Sequence, residues 1–191
     1  MISPGIDGTR FSGTAWLFGP DISTDMLSPG QYVHEPLEIR LGHVLEAARP
    51  EFASLVKPGD IVVAGANFGC GSSRESAPQH LKDLGISVIV ADSLARIFAR
   101  NAIALGLPAL SCPGISTVVK DHESLEVDIV AGEVSVGGGR TVLQADRMPD
   151  SMLDVLRRGG IEPLLLALAA ETISGPTSAT AAGLGAEDGR L

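Results

Sequence analysis

The chain has 191 residues, 45% of them hydrophobic and 19% charged, the proportions of one globular domain with a single core. With 14 Lys and Arg against 23 Asp and Glu, a net charge of −9 removes the basic surface that a nucleic-acid partner requires. Two cysteines, Cys70 and Cys112, are too few for a disulfide framework, and too few for this chain alone to ligate an iron–sulfur cluster or zinc site. The N-terminal residues lack the basic start and apolar stretch of a secretory signal, and no apolar run reaches membrane-spanning length. The expectation is a cytoplasmic protein with no membrane and no nucleic-acid partner.

In chain order, Phe11 to Phe18 reads as an opening strand, and the turn-rich Gly19 to Asp25 as the loop at its end. Glu38 to Ala48 is weakly amphipathic and predicts a helix. The turn signature Lys57-Pro58-Gly59-Asp60 launches a short apolar strand, Ile61 to Ala64. A helix over Ala77 to Leu84 closed by Gly85, a buried strand over Ile86 to Ala91, and a second helix over Ser93 to Leu105 closed by Gly106 follow. Strand and helix in alternation imply an α/β fold with parallel pairing. Beyond Cys112 the pattern turns to hairpin pieces, Leu125 to Val130, Glu133 to Val136 and Thr141 to Gln144, the last two joined by Gly137-Gly138-Gly139. Two helices, Met148 to Arg158 and Ile161 to Ala170, end the fold, and the Gly, Ala, Ser and Thr residues of 173–191 predict a disordered tail. Because the second half supplies hairpins, a mixed sheet with helices on one side is expected.

Gly65 to Ser76 joins a buried strand to a helix with the sequence Gly-Ala-Asn-Phe-Gly-Cys-Gly-Ser-Ser-Arg-Glu-Ser. Its glycines permit close backbone approach, unpaired N–H groups at the helix start favour an anion, and the planar fork of Arg74 matches a carboxylate. The string is neither a P-loop, nor a complete dinucleotide fingerprint, nor a nucleophile elbow. From composition alone it is either a small-anion pocket or an ordinary strand-to-helix turn with serine caps at Ser72 and Ser73.

Asn67 to Glu75, with Ala77-Pro78, closely resembles the signature of 3-isopropylmalate dehydratase small subunits and of the swivel domain of aconitase and homoaconitase. Asp21 to Asp25 with Pro29 to Tyr32 is similar to that family's first loop. Ser93 to Ala102 with Gly106-Leu107-Pro108 is similar to its second helix. The resemblance implies a swivelling β/β/α three-layer domain, like the aconitase C-terminal domain, over residues 1–172. It also implies dehydration of a small 2-hydroxy dicarboxylic acid and rehydration on the neighbouring carbon. By the family pattern Ser72 is the base, Arg74 holds a substrate carboxylate, Ser73 is a cap and backbone ligand, and Glu75 braces the loop or Arg74 from behind. Thr24, Asp25 and Ser28 position the serine loop and substrate, or else form a turn of their own. Tyr32, Val33, His34 and Glu35 occupy the substrate-sorting loop, where isopropylmalate enzymes carry apolar residues and homoaconitase-like enzymes an arginine.

The resemblance further implies that a [4Fe-4S] cluster is carried by a separate large subunit, that none is bound by this chain, and that the chain is inactive alone. An isolated chain should expose its interaction face and is open to self-association. Isopropylmalate, in leucine biosynthesis, is the expected substrate. Homoaconitate, citrate, citramalate and 2,3-dimethylmalate types remain alternatives, as does a non-catalytic anion-binding module. Cys70 reads as a structural or a reactive thiol, and Arg96 and Arg100, one helical turn apart, as supports for the loop or the subunit interface or as ordinary helix-surface partners of acidic neighbours.

Overall fold

The computed structural model describes residues 8–173, so the expected tail beyond Ile173 lies outside the described residues, as do the first seven. Seven strands form one mixed sheet: β1 (Arg10–Phe18), β2 (Ile61–Ala64), β3 (Val88–Ala91), β4 (Ala109–Ser111), β5 (Ser124–Asp128), β6 (Glu133–Val136) and β7 (Thr141–Gln144), in the spatial order β4-β3-β2-β1-β5-β6-β7. The first four are parallel and the last three antiparallel.

The sequence of each strand matches the environment it enters. Ile-Val-Val-Ala in β2 and Val-Ile-Val-Ala in β3 are buried at every position, as parallel strands covered on both faces must be. In β5 and β6 buried and exposed residues alternate, which suits strands with one face to solvent. β1 does both. Its first five residues pair antiparallel with β5, Arg10 opposite Asp128 through Thr14 opposite Ser124, and its last four pair parallel with β2, Ala15 opposite Ile61 through Phe18 opposite Ala64.

Strands β1 to β4 step across the sheet in one direction, so right-handed crossovers place their connecting helices on one face. These are α1 (Thr24–Leu27), α2 (Leu37–Gly42), α3 (Phe52–Leu55), α4 (Ser76–Asp83) and α5 (Arg96–Ala104). Beneath them lies one core, in which Val62, Ala64 and Ile89 meet Phe52, Phe68, Leu81 and Phe98. Phe52 is the edge-on partner of both Trp16 and Phe18, with ring centroids at 5.2 and 5.4 Å. The alternate residues Ile61, Val63, Val88 and Val90 point to a second core shared with Leu125, Val127, Val134 and Val136 of the antiparallel strands. The second face is not free of helices. The short α6 (Ile115–Val118) and α7 (Asp150–Arg157) contribute Ile115, Leu153 and Leu156 to it, and α8 (Ile161–Ile173) follows α7.

The elements depart from the sequence reading in three places. The Glu38 to Ala48 helix shortens to α2, because Leu45 turns left-handed (φ 60°), is wholly buried and donates its N–H to Met26 O. The second crossover helix begins at Arg96, because Phe68 N–H bonds Ser93 O and Ala95 N–H bonds Phe68 O. The three-residue β4 and the one-turn helices α1, α3 and α6 carry too little periodicity to be read from sequence.

Candidate active site

The three loops that leave β1, β2 and β3 meet at the carboxyl ends of adjacent parallel strands, the edge at which open α/β sheets bind ligands. Backbone pairing continues past the strand ends and joins them. Gly69 N–H donates to Ile22 O at 2.7 Å, Thr24 N–H to Cys70 O at 2.8 Å, and Phe68 and Leu94 form a further parallel bridge. Asn67, itself left-handed (φ 64°), donates its side-chain amide to Asp21 Oδ1 and its backbone N–H to Ser93 Oγ. Gly69 has φ +78°, and an added Cβ would lie 2.2 Å from the Phe98 ring, so α5 packs directly on the loop.

Ser72 lies on this platform with its side chain open to solvent. Its carbonyl accepts from Thr24 Oγ1 at 2.9 Å, and its Oγ accepts from Arg74 Nε at 3.1 Å. Arg74 also donates through Nη1 to Ser28 O at 2.6 Å and is ion-paired through Nη2 with Asp25. Three of the five guanidinium N–H groups are thereby engaged, and two are left for a ligand. Ser28, mostly buried, meets Ser76 across a 2.8 Å hydroxyl contact that ties α1 to α4. Thr24, Asp25, Ser28, Ser72 and Arg74 are thus brought into one cluster. Thr24 and Asp25 lie in α1, whose cap is Ser23, its Oγ accepting from Met26 N–H.

Other expectations are corrected. Neither Ser72 nor Ser73 caps α4: the helix starts at Ser76 behind Glu75, with no side-chain cap bond, because three residues separate Ser72, and two separate Ser73, from its first turn. Ser73 is exposed on the wall of the cavity. Glu75 is exposed too, and among the described residues Asp25 is the acidic partner of Arg74. Tyr32, Val33, His34 and Glu35 do not line the cavity in the chain by itself. Tyr32 stacks on His43 at 3.6 Å between centroids, and the other three are exposed, Val33 at 57%.

The cavity beside Ser72 has a volume of about 430 Å³. One wall is Gly71 to Arg74 with Thr24; the other is the start of α5, including Arg96, Arg100 and Asn101. Sequence reasoning left the two arginines as supports for the loop, as interface residues or as helix-surface partners, and did not place them on a cavity wall facing Ser72. The signal that was available is their i, i+4 spacing directly after a strand end. Cys70, half-buried, is part of the loop and bridges to Ser23; Cys112 is buried on the other side of the sheet, where burial, reinforced by Asp92 and Asp146, pushes its thiol pKa up to about 11, so it stays protonated and inert. Among the described residues no group of three or more His, Cys, Asp or Glu is placed to hold a metal ion. No helix among them is long and apolar enough to cross a membrane.

Residues 46–113, which contain the whole Ser72 loop, match the family model described as the aconitase C-terminal domain. The chain is 47% identical over 155 residues to 3-isopropylmalate dehydratase small subunit 1 of Methanopyrus kandleri, covering 80% of this chain and 91% of that protein. It is 45% identical over 161 residues to the isopropylmalate/citramalate isomerase small subunit of Methanocaldococcus jannaschii, covering 84% and 96%. The crystal structure of 3-isopropylmalate dehydratase from Methanocaldococcus jannaschii superposes with a TM-score of 0.78 at 32% identity, over 87% of this chain and 99% of that one. Identity of this level over nearly the full length of these proteins, together with the shared mixed sheet, places the chain in the aconitase superfamily, within the family of 3-isopropylmalate dehydratase small subunits.

Proposed function

We propose that this chain is the small subunit of a hydro-lyase that isomerises 2-isopropylmalate to 3-isopropylmalate by dehydration and rehydration, a step of leucine biosynthesis in the cytoplasm. The observation that carries the reading is the Ser72–Arg74–Asp25 cluster, an accessible hydroxyl held against a guanidinium at the mouth of a cavity of small-ligand size.

In this reading Ser72 Oγ removes the proton from the carbon next to a substrate carboxylate. A serine hydroxyl is a poor base in water. Arg74 Nε, 3.1 Å away, stabilises the alkoxide form, and a cavity closed against water strengthens that interaction. The two free N–H groups of Arg74 take a substrate carboxylate. Asp25 and Ser28 O hold the guanidinium in its plane, and Thr24 Oγ1 fixes the backbone that carries Ser72. Ser73, exposed on the same wall, supplies its hydroxyl or backbone N–H to the substrate.

The Lewis acid that withdraws the hydroxyl comes, in this proposal, from a [4Fe-4S] cluster on a large subunit, with which the chain forms a hetero-oligomer. Closure against that subunit excludes water and brings the Tyr32 to Glu35 segment, with its exposed Val33, toward the substrate's alkyl group. Citramalate is the second substrate to assay, since the Methanocaldococcus jannaschii relative is named for both acids. The test is anaerobic reconstitution with the large subunit and measurement of unsaturated product by absorbance. Turnover of 2-isopropylmalate that falls at least ~10³-fold with Ser72→Ala while the complex still assembles supports the reading. A Ser72→Ala complex as active as the wild type removes Ser72 as the base, and no turnover of any 2-hydroxy acid removes the dehydratase reading.

A further inference from the structure

We infer that Arg96 and Arg100 form a second carboxylate site on this chain, across the cavity from Ser72, which receives the carboxylate that Arg74 does not. The inference rests on the reading that the cavity takes a 2-hydroxy dicarboxylic acid.

The two side chains lie four residues apart on α5, hence on the same helix face, and both line the cavity that Ser72 and Arg74 line. Among the described residues neither has an ion pair, a condition they share with Arg40, Arg147 and Arg158, and of these five only Arg96 and Arg100 line the cavity beside Ser72. Two like charges one helical turn apart repel each other, and an arriving dianion relieves that repulsion. Arg74 alone cannot serve both ends of a dicarboxylate, because three of its N–H groups are already committed. Guanidinium forks suit the second carboxylate by shape as well as charge, and Asn101 beside them adds an amide donor.

The two walls are also held at a fixed separation. Phe98 packs against Gly69 and stands edge-on to Phe68 at 5.3 Å, and Ala95 N–H bonds Phe68 O, so the start of α5 is fastened to the Ser72 loop. A ligand that bridges the walls finds both anchors preorganised. An acidic segment of a partner subunit would be drawn to the same arginines, but it need not enter the cavity that contains Ser72.

The test uses the reconstituted complex with Arg96→Gln, Arg100→Gln and the double variant, assayed on 2-isopropylmalate and on its monomethyl esters. Each single variant should raise KM for the diacid about 10- to 100-fold with a smaller effect on kcat. The wild-type penalty for esterifying one of the two carboxylates should shrink in the double variant, and subunit association should be unaltered. Unchanged KM, or weakened subunit association with normal KM at saturating partner, overturns the site in favour of an interface role. Succinate titrated into the full-length chain alone, followed by the NMR signals of the arginine Nε–H groups, separates this inference from the dehydratase reading. Shifts confined to Arg74, Arg96 and Arg100 support the carboxylate site even if no 2-hydroxy acid is turned over. Absence of any shift at Arg96 and Arg100 overturns it even if the enzyme is active.

Discussion

Replacing Gly69 by alanine tests whether the packing of α5 on the Ser72 loop is what gives the cavity its shape. Gly69 has φ +78°, a region that costs an L-residue about 1–2 kcal/mol. The new Cβ would also lie 2.2 Å from Phe98 Cγ and 2.5 Å from Phe98 Cβ. Because Phe98 Cβ is itself too close, rotating the ring does not relieve the clash, and either the loop or the helix must move. Overpacking of this kind costs about 1–3 kcal/mol, which brings the expected loss to about 2–5 kcal/mol. Gly114→Ala supplies the control: φ is +86° there, yet nothing lies within 4 Å of the added Cβ, so only the conformational cost of about 1–2 kcal/mol should appear. Urea unfolding of the three proteins measures both terms. A Gly69→Ala loss no larger than that of Gly114→Ala would refute the argument that Phe98 closes directly on the loop.

Asp25→Asn removes the charge opposite Arg74 in a pair that is largely open to water, so stability should change by no more than about 1 kcal/mol in urea unfolding. The freed guanidinium should cost catalysis about tenfold, mainly in KM, in the reconstituted assay. A variant with unchanged KM would remove Asp25 as a positioning residue. His80 is buried on α4 with Nε2 unpartnered and Nδ1 3.3 Å from Leu27 O. Burial lowers its pKa, the Leu27 carbonyl raises it in part, Arg40 lowers it and Asp83 raises it, with a net shift downward. The unfolded chain therefore binds the proton more readily. This group's contribution to stability is complete above the unfolded value of about 6.5 and is lost as pH falls below it toward the folded value, by at most ~1.4 kcal/mol per pH unit. Urea midpoints of the wild type and His80→Leu between pH 7.5 and 5.5 should differ in slope, and equal slopes would exclude His80 as the source.

The strands that shape the site were legible because burial imposes a pattern. Ile-Val-Val-Ala is apolar at every position, and Glu133 to Val136 and Thr141 to Gln144 lie where alternation and the glycine turn put them. The cluster around Ser72 was legible through family resemblance, and Thr24, Asp25 and Ser28 do converge on the Ser72–Arg74 segment. What the sequence did not disclose depends on contacts between distant segments. Asp25, and not the neighbouring Glu75, reaches Arg74, because α1 packs beside the loop while Glu75 faces solvent at the start of α4. Arg96 and Arg100 join the site because the backbone bonds of Phe68 to Ser93 and Ala95 pull the start of α5 alongside it, a pairing that no local pattern announces.

The divided pairing of β1 bears on how the chain assembles. A single nine-residue strand borders both the parallel and the antiparallel halves, and its first residues wait for a partner 118 positions downstream. During synthesis β1 can settle against β2 early, but its other edge stays unpaired until β5 has emerged. Closing so long a loop is slow and comes late, so the two halves acquire their shared sheet only near the end of folding. The amino-terminal strand therefore acts as a final lock, and shortening it should divide the molecule into two poorly joined halves even though Ser72, Arg74 and the cavity lie elsewhere in the chain.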